Sequence, residues 1–140
     1  MTEKILFGMK ISHEKPPIYD TLVEVFGIDW NDGIVITYGD TLHTREGNNI
    51  PQDLVIHERT HTRQQSAFGL DDWWKYYIAN PTFRMEQEAE AYRNQWQFIK
   101  HNVKNREEAF QKKMKIVRDF SSPIYGNIVT HNEALKIISR

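Results

Sequence analysis

The chain has 140 residues, of which 39% are hydrophobic and 12% aromatic, a composition that predicts one domain spanning residues 1–140. Its 18 basic and 19 acidic side chains leave a net charge of -1, so no basic excess indicates a nucleic-acid partner. The absence of cysteine excludes disulfides, thiolate-bound metals and cysteine nucleophiles. The apolar run near Met1 is too short for a secretory signal, and no window resembles a membrane span. We therefore expect a soluble protein, cytoplasmic by default and without a membrane partner.

The first third of the chain is predicted to be β-rich. Pro16-Pro17 disfavours a helix locally and suggests an extended segment or a turn within residues 1–20. Runs of β-branched and aromatic residues predict strands at 23–26 and 33–38, joined by a hairpin turn at Asn31-Asp32-Gly33. A third strand is expected at 41–45. These strands together predict an N-terminal β-meander or hairpin.

The remainder is predicted to be helical. The first helix should begin near Pro51 and end at Gly69. A short aromatic helix capped by Asp71 or Asp72 should follow, and its aromatic side chains are expected to pack in the core, with lining of a pocket as the alternative. Further helices are predicted at 82–103 and 107–120, and after a capping box that begins at Thr130. Strands followed by helices define an α+β fold class.

The sequence His57-Glu58-Arg59-Thr60-His61 carries the chemistry. Residues four apart on a helix lie one turn above each other on the same face, so His57 and His61 can bind one metal ion from the same side. Glu58 would then face the open side of the ion, where it can act as general base toward a metal-activated water. We expect one Zn²⁺ per chain, with Glu58 as the catalytic residue.

Zinc normally takes a third protein ligand. A metzincin would continue with Gly and His on the same helix, but these places hold Gln64 and Ala67, and a deformylase site would need a cysteine. The remaining common solution is a glutamate on a later helix. The helix at 82–103 offers three candidates, Glu86, Glu88 and Glu90.

Helical periodicity separates these candidates. At about 100° per residue, Glu88 falls within an apolar stripe, whereas Glu86 and Glu90 fall on the polar face. A carboxylate in an apolar stripe is costly unless it is paired or bound to a metal. Glu88 is therefore the expected third ligand, and Glu86 is the alternative because a shifted helix start would rotate the pattern. The stripe consists of Met85, Tyr92, Trp96 and Ile99.

These residues resemble the gluzincin-type zinc metallopeptidases, and most closely the small single-domain zincins of bacteria and their phages. One part of the likeness is the His57–His61 motif followed by Gln64-Gln65. The other is Glu88-Ala89-Glu90-Ala91-Tyr92-Arg93, which is similar to the Glu-x-Glu-Ala-Asp-Arg helix of several gluzincin families, where the first Glu binds zinc. The resemblance covers roughly residues 33 to 96. It implies a zincin-like fold and a peptide substrate along an edge strand at 34–38 or 41–45.

The resemblance also implies supporting residues. Several gluzincins have an acid at the position of Tyr92 that supports a ligand, and here a phenol would have to make that hydrogen bond. A Tyr or His usually stabilises the oxyanion, and Tyr76, Tyr77 and His43 are the candidates.

The function predicted from these residues is zinc-dependent hydrolysis of a peptide or protein substrate. One alternative is a catalytically idle zincin-like module of a larger assembly, such as that of a phage, and another is a zinc hydrolase of a non-peptide amide such as cell-wall material. Glu58 favours an enzyme, because a structural zinc site has no need of a base. The pattern indicates neither the oligomeric state nor the physiological substrate.

Overall fold

A small sheet formed from the N-terminal part of the chain packs beside helices formed from the rest, so the fold is mixed α+β. The computed structural model describes residues 3–140, and side chains from residue 7 onward. The strands are β1 (Glu3–Leu6), β2 (Met9–Ser12), β3 (Ile36–Tyr38) and β4 (Thr41–His43). The helices are α1 (Tyr19–Phe26), α2 (Gln52–Phe68), α3 (Leu70–Ala79), α4 (Pro81–Asn102), α5 (Arg106–Phe120) and α6 (His131–Ile138). No helix within residues 3–140 is long and apolar enough to cross a membrane.

The sheet consists of two hairpins placed side by side. Its strand order is β1-β2-β4-β3, with antiparallel pairing inside each hairpin and parallel pairing between β2 and β4. The prediction of a β-meander was therefore wrong, although a hairpin of the two strands expected near 33–38 and 41–45 is present. Parallel strands need a crossover, which here includes α1. The order places β3 at one end of the sheet.

The strand predicted at 23–26 was also wrong, because these residues form the second half of α1. The buried side chains Tyr19 and Leu22 lie three residues apart, as a helix requires, and Gly27 ends the helix in the left-handed conformation with φ 67°. Val23 and Val25 flank this pair and are 38% and 48% exposed. Helical spacing from Tyr19 onward thus overrides the β preference of the two valines.

The turn predicted at Asn31-Asp32-Gly33 is not a hairpin turn. Trp30–Asp32 form a 3-10 helical turn in which the Asp29 carboxylate accepts a hydrogen bond from the backbone N–H of Asn31. The hairpin turn lies instead between β3 and β4, where Gly39 adopts φ 65°. No helix covers Pro16-Pro17, as expected, but the β1–β2 hairpin and the start of α1 within residues 1–20 were not predicted.

The boundaries predicted for α2, α4 and α5 agree with the structure to within about one residue. α2 ends before Gly69 as expected, and α6 begins with the capping box of Thr130 and Glu133. α3 begins at Leu70, so Asp71 and Asp72 lie in its first turn and do not cap it. Acidic side chains there still interact favourably with the positive end of the helix.

Three apolar clusters hold these elements together. The first fills the space between α4, α5 and α6, and the second joins α1, α3 and β3. The third, formed by Met9, Leu42 and Val55, fixes α2 against the sheet. α2 also packs along α4, and the buried polar side chains described below lie in that interface.

Candidate metal site

α2 carries His57, Glu58 and His61 on its buried side. The three residues are 2%, 6% and 5% exposed, respectively, so almost no solvent reaches them. Val55 packs against the sheet from the same helix, which fixes the rotation of α2 about its axis. Burial of this many polar groups is costly unless each has a partner, so the surroundings of the three side chains decide what they do.

α4 places Glu88 opposite the two histidines. Its Oε1 lies 3.1 Å from His57 Nε2 and 3.3 Å from His61 Nε2, and the two Nε2 atoms are 3.2 Å apart. His57, His61 and Glu88 thus form a buried group that could hold a metal ion. Zinc bonds of about 2.0–2.2 Å at tetrahedral angles put neighbouring ligand atoms about 3.3 Å apart. Both the spacing and the donor set of two imidazoles and a carboxylate therefore fit a zinc-type ion.

Charge is strongly coupled within this group. Burial opposes ionisation of His61 most strongly, but Glu88 and, more weakly, Glu58 outweigh it and raise the pKa of His61 to about 9. Burial likewise opposes the charge of Glu88, yet the two histidines hold the pKa of that carboxyl well below its usual range. Without a metal, His61 and Glu88 are thus a buried ion pair, and a metal ion would displace the proton of His61.

Glu58 is positioned by the edge strand. The hydroxyl of Thr37 on β3 donates a 2.8 Å hydrogen bond to Glu58 Oε1, and Oε2 lies 3.9 Å from His57 Nε2. Gln65 fixes the strand in place, since its side chain accepts from Gly39 N at 2.7 Å and donates to Thr37 O at 2.9 Å. One carboxylate oxygen of Glu58 is therefore occupied by Thr37, and the other faces the His57–His61–Glu88 group.

The outer nitrogen of each histidine meets a glutamine amide. His57 Nδ1 lies 3.1 Å from Gln95 Oε1, and His61 Nδ1 lies 2.8 Å from Gln64 Oε1. Each amide donates its N–H at 2.7 Å to a carboxylate, Gln95 to Asp53 and Gln64 to Glu90. The Nδ1 atoms are thereby engaged away from the centre, and the Nε2 atoms are directed toward Glu88.

Buried tyrosines complete the surroundings of Glu88. Tyr77 on α3 donates a 2.6 Å hydrogen bond to Glu88 Oε2, and burial together with the charge of Glu88 raises the pKa of this phenol well above its ordinary value. Tyr92 places its ring 4.3 Å from that of His57, and its hydroxyl pairs with that of Tyr125 at 2.6 Å. Tyr92 thus contacts His57 through its ring. The hydrogen bond to the ligand histidine, for which the Tyr92 phenol was the candidate, is made by Gln95 instead.

Three predicted candidates lie away from this group. Tyr76 is 47% exposed and packs against Phe68 on the outside of α3. His43 bonds the backbone oxygen of Glu14 through Nδ1, and burial lowers its pKa. Glu86 is exposed on α4 and is not part of the His57–His61–Glu88 group. The geometry therefore gives no support for a role of these three in the site, whereas it places Tyr77 and Tyr92 beside it.

A cavity of about 400 Å³ opens beside Glu58 and Glu88. Its walls are mainly apolar and come from α1, the segment before β3, and α3, with Lys115 and Asp119 of α5 contributing a charged part. β3 borders the cavity with Ile36 and Thr37, and this strand pairs with β4 alone among the described strands. An edge of β3 that pairs with no described strand thus borders the cavity, and the backbone oxygen of Thr37 already accepts a hydrogen bond from Gln65.

The chain matches no protein-family model, no curated protein and no solved structure at a significant level. Any functional conclusion therefore depends on the residues of this chain.

Three residues of the site, Thr37, Gln95 and Asp53, were not predicted from the sequence. A signal for Gln95 was present, because it lies seven residues after Glu88 and so falls on the same buried stripe of α4.

Proposed function

We propose that the protein is a zinc metallopeptidase of the gluzincin type with a zincin-like fold. The observation that carries this proposal is the approach of His57 Nε2, His61 Nε2 and Glu88 Oε1 to within 3.1–3.3 Å of one another, with Glu58 beside them. His57, His61 and Glu88 would hold the ion, which leaves a fourth position for water.

A zinc ion held there would polarise a substrate carbonyl and lower the pKa of a bound water toward about 7. Glu58 Oε2 would accept the proton of the attacking water and pass it to the leaving amine. Thr37 supports this role because it holds the other oxygen and so fixes the direction of the carboxylate. Tyr77 orients Glu88, and its buried phenol stays protonated and able to donate.

The proposed substrate is a peptide or protein segment in extended conformation. It would add to the edge of β3 that pairs with no described strand, through backbone groups other than Thr37 O, which accepts from Gln65, and place a side chain in the neighbouring cavity. Of the two edges considered from the sequence, 34–38 is favoured, because β4 lies inside the sheet between β2 and β3.

Metal analysis and a matched pair of variants test the proposal. About one zinc per chain is expected. Glu58→Gln should keep the zinc and lose peptide cleavage by at least about 100-fold, whereas Glu86→Gln, an exposed change on α4, should behave as wild type. Denatured protein and peptidoglycan are digested in parallel to identify the amide that is cleaved.

Two results would contradict the proposal. A protein that binds no zinc would exclude the whole site. A zinc-loaded wild type that cleaves nothing beyond what Glu58→Gln cleaves would instead indicate a catalytically idle module.

A further inference from the structure

The two histidines share an arrangement that the proposed chemistry does not require. Each Nδ1 faces a glutamine carbonyl oxygen, and each glutamine faces a carboxylate with its amino group. His57 connects through Gln95 of α4 back to Asp53 of α2, and His61 connects through Gln64 of α2 to Glu90 of α4. We call these two paths relays. The relay from His57 crosses to α4 and returns to α2, whereas the relay from His61 crosses to α4 once.

The carboxylate decides how each amide is oriented. An ionised carboxylate can only accept hydrogen bonds, so the NH₂ group of the glutamine must face it and the amide oxygen must face the imidazole. A carbonyl oxygen in turn only accepts, so Nδ1 must carry the hydrogen. For Gln64 the NH₂ group also donates to the backbone oxygen of Gln87 at 3.1 Å, which reinforces the same orientation.

This orientation has a consequence at the centre of the site. With the hydrogen fixed on Nδ1, the neutral imidazole presents the lone pair of Nε2, which is the form that binds a metal ion. A ligand histidine is more often held by a carboxylate or a backbone carbonyl directly. Here a neutral amide stands between each imidazole and its carboxylate.

We propose that Gln95 and Gln64 are positioning residues that transmit the orientation imposed by Asp53 and Glu90 to His57 and His61, and so make Nε2 the atom of each imidazole that binds the metal. This inference rests on the proposed zinc site. It assigns the support of His57 to Gln95 and Asp53, in place of the acid that the resemblance would put at Tyr92.

A substitution of similar shape tests the contact of Gln95 with His57. Gln95→Met fills nearly the same space without an acceptor, and it should lower the affinity for zinc by roughly 10–100-fold. Gln97→Met, on the same helix and outside both relays, should stay within about twofold of wild type. Zinc affinity is measured by competition with a chromophoric chelator.

An exchange of the two groups tests the relay itself. Gln95→Glu combined with Asp53→Asn keeps the shapes and the net charge but swaps the amide and the carboxylate, so Nδ1 still meets an acceptor that a donor holds in place. The zinc affinity of the double variant should be no more than about threefold weaker than that of wild type. Gln64→Glu with Glu90→Gln is the corresponding exchange for His61.

A spectroscopic readout separates positioning from packing. In the zinc-loaded wild type, long-range ¹H–¹⁵N correlations should show both ligand histidines protonated at Nδ1. Gln95→Met should weaken zinc binding without unfolding the protein, as followed by circular dichroism.

Each unfavourable result has a distinct meaning. If the wild type binds zinc and Gln95→Met binds it equally tightly, or if Nδ1 of His57 carries no hydrogen, this inference is wrong and the zinc site stands. If Gln95→Met fails to fold, the exchange variant decides, and a loss of more than about tenfold in it overturns the relay. A wild type that binds no zinc overturns the inference together with the proposed function.

Discussion

The interfaces that α4 makes with its neighbouring helices are built from different kinds of side chain. Toward α5 and α6 the helix packs through apolar residues such as Ala89 and Trp96, in one cluster with Val117 and Ile138. Toward α2 it presents Glu88 and Gln95, which are buried among the histidines. Burial of apolar area stabilises the fold, whereas burial of polar groups contributes little net stability even when every group has a partner. The first interface therefore stabilises the fold, whereas the second contains the candidate metal site.

The largest effect is expected at the polar interface. Glu88→Ala removes one of three candidate ligands, and zinc sites bind with on the order of 10–16 kcal/mol, so the loss should be roughly 4 kcal/mol, or about 1000-fold in affinity. Glu86→Ala should leave the affinity unchanged. Equal affinities in chelator competition would show that Glu88 is not a ligand.

At the apolar interface the effect should appear in folding and not in metal binding. Ile138 is 0% exposed, and Ile138→Ala should lower the free energy of unfolding by about 3 kcal/mol. Phe110→Ala removes a larger side chain, but one that is 53% exposed, and should cost less than about 1 kcal/mol. Urea unfolding measures both. A tenfold change in zinc affinity in the folded Ile138 variant would mean that the two interfaces of α4 are not independent.

The candidate metal site could be predicted only in part. The His57–His61 spacing and the place of Glu88 on α4 follow from helical periodicity, which is local information. Thr37 reaches Glu58 across 21 residues and Gln95 reaches His57 across 38, so the packing of separate elements decides these contacts.

The errors in the N-terminal region have the same origin. Val23 and Val25 favour a strand locally, but the burial of Tyr19 and Leu22 against α3 and β3 selects a helix. Parallel pairing of β2 with β4 likewise joins segments that no sequence period connects. Periodicity therefore predicted most helices well, and the sheet poorly.

A third prediction concerns the pH dependence of the metal-free protein. The pKa of His61 is raised from 6.5 to about 9, so its contribution to stability is fully present below pH 6.5 and is lost as the pH rises through 9. The pKa of Glu88 is lowered from 4.5, so its contribution is present above pH 4.5 and is lost as the pH falls. We expect the metal-free protein to be most stable between about pH 4.5 and pH 6.5. Its free energy of unfolding should fall by roughly 3 kcal/mol at most as the pH rises through 9.

Glu88→Gln is the control for this pH dependence. It keeps the shape of the side chain but removes the negative charge that raises the pKa of His61. Urea unfolding at pH 6 and pH 9, with a chelator present, should give a smaller difference for Glu88→Gln than for wild type. The same difference in both proteins would mean that the His61–Glu88 pair does not determine the pH dependence.

The smallest effect is expected from Tyr77, which lies next to the polar interface without being a candidate ligand. Its hydroxyl donates to Glu88 Oε2, which leaves Oε1 as the oxygen directed toward His57. Tyr77→Phe keeps the ring stacked on Trp73 but removes the hydrogen bond to Oε2, which also lies 3.2 Å from His61 Nε2, so zinc affinity should fall by about tenfold, close to 1.4 kcal/mol. Tyr76→Phe, an exposed neighbour on the same helix, should have no effect.

If Tyr77→Phe instead retains full zinc affinity but loses cleavage, the phenol stabilises the transition state and does not orient Glu88. Zinc affinity and cleavage rate measured on the same preparation therefore distinguish a residue that supports a ligand from one that contacts the substrate.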